Sequence, residues 1–184
     1  MAPMHPHIES IFATESQIRQ KVTELGDKIS TDYEGLSLLA VGILKGASVF
    51  YADLVRAISV PVGFDFMTVS SYNQGDQTSG AVRIIKDLEV DITGVHVLIV
   101  EDILDTGLTL FNLKKMLWAR KPASLRICTL LDKPERRSPS ILIQPDYVGF
   151  TVPDQFLVGY GLDYAQQYRS LPYVGILKPE IYTK

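Results

Sequence analysis

The segment VLIVEDILDTGLTL, residues 97–110, runs an apolar stretch into two adjacent carboxylates, Glu101 and Asp102, and follows them with a third, Asp105, at the head of a Thr/Gly-rich turn. Neighbouring carboxylates can accept hydrogen bonds from vicinal sugar hydroxyls, or share a hard cation such as Mg²⁺ that keeps part of its water shell. Asp105, Thr106, Gly107, Leu108 and Thr109 then offer backbone N–H groups and two hydroxyls just ahead of an amphipathic stretch, residues 110–120. A helix starting there favours a phosphate dianion at its N-terminus. A solvated strand end followed by an Asp/Thr helix cap accounts for any one of these residues equally well, whereas the combination is far more specific.

These groups need a strand to deliver them. Val97, Leu98, Ile99 and Val100 form a β-branched-rich run that predicts a strand covered on both faces in a parallel sheet, with its carboxyl end at the ligand position of open α/β folds. Upstream, Thr14 and Gln17 have capping-box spacing, and Ile18, Val22, Leu25 and Ile29 recur at helical spacing. Residues 38–44 predict a central strand, and Val49, Phe50, Leu54 and Ile58 a helix in a unit that ends at Pro61. Residues 64–69 and 81–86 read as strands around a polar connection, residues 70–80, and residues 125–131 and 147–150 as later strands. This alternation predicts an α/β fold, a mostly parallel sheet with helices on both faces. The terminal segments, roughly residues 1–33 and 151–184, fit the pattern less well and leave a core of roughly residues 34–150.

Composition narrows the classes. At 184 residues, 46% hydrophobic and 21% charged, the chain can bury a core as one domain. A net charge of -3 gives no general attraction to nucleic acid or anionic membrane. The single cysteine, Cys128, lies in an apolar run, so no intrachain disulfide forms and a reducing compartment is expected. The opening MAPMHPHIES has no apolar core of a leader, and the run at 38–44 is too short to cross a bilayer, which together predict a soluble cytoplasmic protein. The Walker A pattern is absent, which counts against an ordinary nucleoside-triphosphatase.

EDILDTGLT, residues 101–109, resembles the phosphoribosyl-pyrophosphate (PRPP) binding signature of the type I phosphoribosyltransferases, and its EDxxDTG form resembles the hypoxanthine-guanine branch. Four further segments resemble the same family in the same order. LKGA, residues 44–47, is similar to the pyrophosphate loop, in which a non-proline cis peptide precedes the lysine; the resemblance implies pyrophosphate binding by Lys45 and Gly46. Many members have Gly-Gly where this chain has Gly46-Ala47. SSYNQGDQTSG, residues 70–80, resembles a lid whose Ser71 and Tyr72 close over the reacting centre. LLDKPERR places Lys133 where the family donates a hydrogen bond to O6 of hypoxanthine or guanine. An amino group there would meet donor with donor, so adenine should be rejected. DQFLVGYGLDYAQQYR, residues 154–169, implies that Phe156 stacks on the purine, Leu157 offers backbone to its edge, Asp163 binds a second Mg²⁺ through water, and Arg169 meets pyrophosphate. Leu108 stands where some relatives carry lysine. From the residues alone, Lys45 and Lys133 also fit solvated turn residues, and Phe156 a core aromatic.

The resemblance implies a type I phosphoribosyltransferase fold, with a hood built from the terminal segments over the base. It further implies Mg²⁺-dependent transfer of the 5-phosphoribosyl group of PRPP to N9 of a 6-oxopurine, with pyrophosphate released. Glu101 and Asp102 would hold the ribose hydroxyls and metal, residues 105–109 the 5′-phosphate, and Asp105 would be the general base. The chain should assemble as a homodimer or homotetramer. One alternative is a PRPP-fold regulator that binds nucleic acid, against which the acidic net charge and the presence of Lys45, Asp105, Lys133, Asp163 and Arg169 both argue. Another is a transferase preferring xanthine, which Lys133 and Phe156 leave open.

Overall fold

The computed structural model describes residues 3–74, 77–139 and 141–183, with the side chains of residues 71–81 outside that description. In chain order the elements are β1 (Ile8–Ala13), α1 (Glu15–Asp32), β2 (Leu38–Leu44), α2 (Ser48–Ala57), β3 (Val62–Gln74), β4 (Gln77–Lys86) and β5 (His96–Leu104). They continue with α3 (Leu108–Trp118), β6 (Ser124–Asp132), a 3₁₀ turn (Pro134–Arg136), β7 (Tyr147–Thr151), β8 (Leu157–Val158), β9 (Val174–Leu177) and α4 (Pro179–Tyr182).

The apolar runs become the middle of a six-stranded sheet, order β4-β3-β2-β5-β6-β7, in which only β4 is antiparallel to its neighbour. Alternate side chains explain why these strands are apolar throughout. On one face Leu38, Ala40, Leu98 and Val100 meet α1 and α2; on the other Leu39, Val41, Val97 and Ile99 meet Leu110, Leu113 and Leu117 of α3. The chain leaves β2 for β3 on one side and returns to β5 on the other, so β2 and β5 flank the switch point where open α/β sheets form their crevice. Their register pairs Gly42 with Val100, which brings Leu44 and Asp102, each two residues further on, to the same end.

α1 starts as its sequence predicts. The Gln17 N–H donates to Thr14 Oγ1 at 3.3 Å, the Thr14 N–H donates to Gln17 Oε1 at 2.9 Å, and Ile18, Val22, Leu25 and Ile29 are buried. It packs into the same cluster as Phe50, Tyr51, Leu54 and Val55 of α2, so it belongs to the core rather than to the hood. Ahead of α1, β1 joins the C-terminal segment in a three-stranded antiparallel sheet, the hood, ordered β1-β9-β8 around Ile8, Val158, Tyr173 and Leu177.

Three local expectations shift. The polar connection expected over residues 70–80 is largely strand: β3 and β4 pair through Ser71 with Val82, Asn73 with Thr78 and Gln74 with Gln77. Ladder bonds use backbone groups alone, so a polar sequence can extend a hairpin beyond the core. The lid side chains of Ser71 and Tyr72 lie outside the described residues. In α2 the buried face carries Tyr51 and Val55, while Val49 is exposed and Ile58 lies past the helix end. β5 also runs on through Glu101 and Asp102 to Leu104, and α3 begins at Leu108. Among the described residues no helix is long and apolar enough to cross a membrane.

α1 and α2 meet at Gly26, where a Cβ would sit 2.5 Å from the carbonyl oxygen of Ala57. Gly26→Ala should therefore lower stability by about 1–2 kcal/mol, although alanine favours an isolated helix by about 1 kcal/mol. Urea unfolding measures the sign, and a stabilised variant would show that α1 is free to shift away from α2.

Candidate active site

At the switch point a cavity of about 220 Å³ is lined by Leu44, Gly46, Glu101, Asp102, Thr106 and Thr109, among others. The Leu44–Lys45 peptide is cis. Gly46 has no room for a side chain, because a Cβ there would fall inside the Asp102 carboxylate. Gly107 caps α3 in the left-handed region, at φ 82°, with no side-chain hydrogen bond to the helix start. A Cβ on it would meet Ile143 at 2.6 Å, so glycine serves both backbone and packing. Leu108 is the first residue of the helix, its N–H facing Thr106 Oγ1 at 3.5 Å. The Lys45 side chain is exposed and outside this lining.

The two carboxylates are held under electrostatic stress. Glu101 Oε2 is sealed from solvent without a hydrogen-bond partner among the described residues. Burial, and then the charge of Asp102, push the Glu101 carboxyl well above the usual carboxylate range. Burial raises Asp102 to about 6, opposed by the Ile103 N–H that donates to its Oδ1 at 2.9 Å and by Arg169, and reinforced by Asp163. Desolvated carboxylates with few donors are costly, and sugar hydroxyls or a cation would relieve that cost. No group of three or more metal-ligating side chains converges among the described residues. The donors therefore fit an ion such as Mg²⁺ that is shared with a ligand and with water.

A second cavity of about 500 Å³ adjoins the first through Asp102, Ile103 and Asp105, which line both. Lys133 sits at its edge, only 7% exposed, which removes the reading of a solvated turn lysine. Its Nζ donates to the Gln155 carbonyl at 2.8 Å and lies 3.6 Å from Asp154 Oδ1. Phe156 stacks on Tyr182 with centroids 4.8 Å apart and meets the Tyr164 ring edge-on at 5.4 Å. Leu157 follows in β8, an edge strand of the hood sheet. Asp163 lines this cavity and pairs with Arg169 at 2.8 Å. Arg169 itself, donating to the Gly161 carbonyl, lines neither cavity and borders a groove against α1 and α2. Arg136 Nε donates to Asp105 Oδ1 at 3.3 Å, and Arg137 donates to the Asp105 carbonyl at 2.7 Å.

Sequence reading did not single out Ile103, Arg136, Asp154 or Tyr182, all of which line the second cavity. Arg136 and Asp154 lie within the two motifs already quoted, so their neighbours offered a signal. Tyr182 follows a different strand, and nothing in its own surroundings marks it.

A phosphoribosyl transferase domain model matches residues 9–165, and the chain belongs to that family. It is 49% identical over 181 residues to the bifunctional protein TilS/HprT of Listeria monocytogenes, spanning 98% of this chain but 28% of that protein's length. It is also 49% identical to the hypoxanthine-guanine phosphoribosyltransferase of Bacillus subtilis, over 97% of this chain and 98% of that one. A crystal structure of a hypoxanthine phosphoribosyltransferase from Staphylococcus aureus superposes with a TM-score of 0.95 at 48% identity, covering both chains completely.

The raised Asp102 makes a signed prediction for the ligand-free protein. Because the folded state holds this proton more tightly than the unfolded chain, stability falls as pH rises from about 4 through about 6, and the deficit persists above. Asp102→Asn should melt several degrees higher than the parent at pH 7.5, with the gap closing near pH 4. Equal melting temperatures at pH 7.5 would show that Asp102 ionises without penalty.

Proposed function

We propose that this chain is a purine-salvage enzyme that transfers the 5-phosphoribosyl group of PRPP to N9 of hypoxanthine or guanine, giving IMP or GMP and pyrophosphate. The observation that carries this reading is the pair of adjoining cavities at the switch point. One combines two carboxylates with the start of α3, the other a buried lysine with an aromatic platform, and Asp105 lies on their border.

Glu101 and Asp102 accept hydrogen bonds from the ribose hydroxyls, which offsets part of the cost of desolvating the pair. The turn from Asp105 to Thr109 holds the 5′-phosphate with backbone N–H groups, so Leu108 can replace a lysine at the cost of one charge. Lys45, Gly46 and Arg169 receive the pyrophosphate. Bound Mg²⁺ supplies further positive charge to the leaving group, with Glu101 and Asp102 near one ion and Asp163 near a second. Asp105 accepts the N7 proton as N9 bonds to the cation-like ribose carbon. A lid carrying Ser71 and Tyr72 keeps water from that carbon.

Base choice follows from donor counting. An ammonium has three N–H donors; Lys133 gives one to Gln155 and aims one at Asp154, leaving the third for O6 of the purine. Phe156 stacks on the purine face, and the edge backbone at Leu157 meets its rim. The chain acts as one domain, is cytoplasmic, and assembles as a homodimer or homotetramer.

An assay of hypoxanthine, guanine, xanthine and adenine with PRPP and Mg²⁺ tests the reaction: nucleoside monophosphate should form from the first two and not from adenine. Lys133→Ala should cut kcat/KM for both oxopurines by roughly 10- to 150-fold, matching loss of one charge-assisted hydrogen bond of about 1.5–3 kcal/mol, with little change in KM for PRPP. An unchanged oxopurine profile would remove Lys133 from the site. Light scattering at micromolar concentration should report a dimer or tetramer, and a monomer alone would refute the assembly.

A further inference from the structure

One wall of the larger cavity carries charges of alternating sign: Lys133, Asp154, Arg136 and Asp105. Lys133 Nζ lies 3.6 Å from Asp154 Oδ1, Arg136 Nη1 lies 3.7 Å from Asp154 Oδ2, and Arg136 Nε donates to Asp105 Oδ1 at 3.3 Å. The chain of contacts thus joins the lysine proposed to recognise O6 to the carboxylate proposed to take the N7 proton. It also ties three separate segments: the turn after β5, the 3₁₀ turn after β6, and the connection from β7 to β8.

Resting on the function proposed above, we infer that Arg136 is a positioning residue for that reaction, acting through Asp105. A carboxylate at the head of a turn can rotate about its own side-chain bonds. Arg136 fixes one oxygen, Oδ1, and thereby leaves Oδ2 to face the base. Arg137 complements this from outside: it donates to the Asp105 carbonyl and also pairs with Asp132, fastening the backbone while Arg136 fastens the side chain. Arg136 and Asp154 are each about half exposed, so neither is needed to fill the core, and their loss should leave the fold intact. The guanidinium lines the second cavity and holds Asp105, which lines both, and at such a position a displacement of about 1 Å in a reacting group can cost on the order of 10²-fold in rate.

The test is a double-mutant cycle in steady-state kinetics with hypoxanthine, PRPP and Mg²⁺, with single-turnover rates to isolate the transfer step. Asp105→Asn alone should slow transfer by about 10²–10⁴-fold. Arg136→Ala alone should lower kcat about tenfold, with KM for PRPP and for the base within about twofold, and Arg136→Lys should restore part of the loss. In the Asp105→Asn background, Arg136→Ala should cost less than about twofold, because the group it orients is already disabled. Equal losses in both backgrounds would overturn the inference while leaving Asp105 as the base. A rise confined to KM for the base would also overturn it, making Arg136 a direct base contact. A harmless Asp105→Asn would sink both the inference and the general-base assignment. Asp154→Ala serves as a second variant: since it frees Arg136 at one end only, its kcat effect should be smaller than that of Arg136→Ala, and a larger one would place the control at Asp154 instead.

Discussion

Two adjacent carboxylates buried at the end of a parallel strand are the constraint around which this molecule is arranged. Glu101 has a sealed oxygen with no hydrogen-bond donor among the described residues, and Asp102 is raised to about 6 by its burial. Such groups persist only where the surrounding fold is stable enough to hold them. The doubly covered sheet supplies that stability, since β2 and β5 on either side of the crevice are sealed by α1 and α2 on one face and by α3 on the other. The stress is local, and on the proposed function its relief by a hydroxyl-rich, cation-bearing ligand would give binding energy at the place where the chemistry needs positioning.

The second consequence is geometric. Parallel order forces the connections after β2, β5 and β6 to emerge at one end of the sheet, so groups far apart in sequence arrive together. The small sheet β1-β9-β8 joins segments from both ends of the sequence and borders the second cavity at Leu157. Its edge strand β8 directly follows Phe156, and the turn after β9 brings Tyr182 onto that ring. The platform is therefore set by two aromatic neighbours rather than by the strand alone.

Much of this was legible before any coordinates. The capping box at Thr14 and Gln17 is a three-residue relation, and the apolar run at β2 is long and uninterrupted, so local rules suffice. The acids and the turn at residues 101–109 were readable because one short segment carries them all. What could not be read depends on partners. The face of α1 is plain from its spacing, yet the spacing does not say which surface it meets, and it meets the core. The phase of α2 is ambiguous because Val49, Phe50, Tyr51 and Leu54 crowd more than one face, and packing buries Tyr51 in place of Val49. Polarity over residues 70–80 hid a hairpin, because ladder bonds ignore side chains. Arg136 and Asp154 acquire meaning only through a contact across the cavity.

The absence of side chains at Gly46 and Gly161 has one more result. A Cβ on Gly46 would enter the Asp102 carboxylate, and a Cβ on Gly161 would enter the Gly46 carbonyl, so the Asp102 side chain, the loop at Gly46 and the segment leading to Asp163 and Arg169 are in close contact with no side chain between them and the loop backbone. Two contacts without slack couple these three segments: a ligand that shifts one segment by a fraction of an ångström presses on the others. On the function proposed above, occupancy of Glu101 and Asp102 by the sugar and of the loop at Gly46 by pyrophosphate would then be thermodynamically linked, and by reciprocity each would favour the other to the same degree. Intact PRPP, which fills both at once, collects that coupling in full, whereas ribose phosphate and pyrophosphate arriving separately share it.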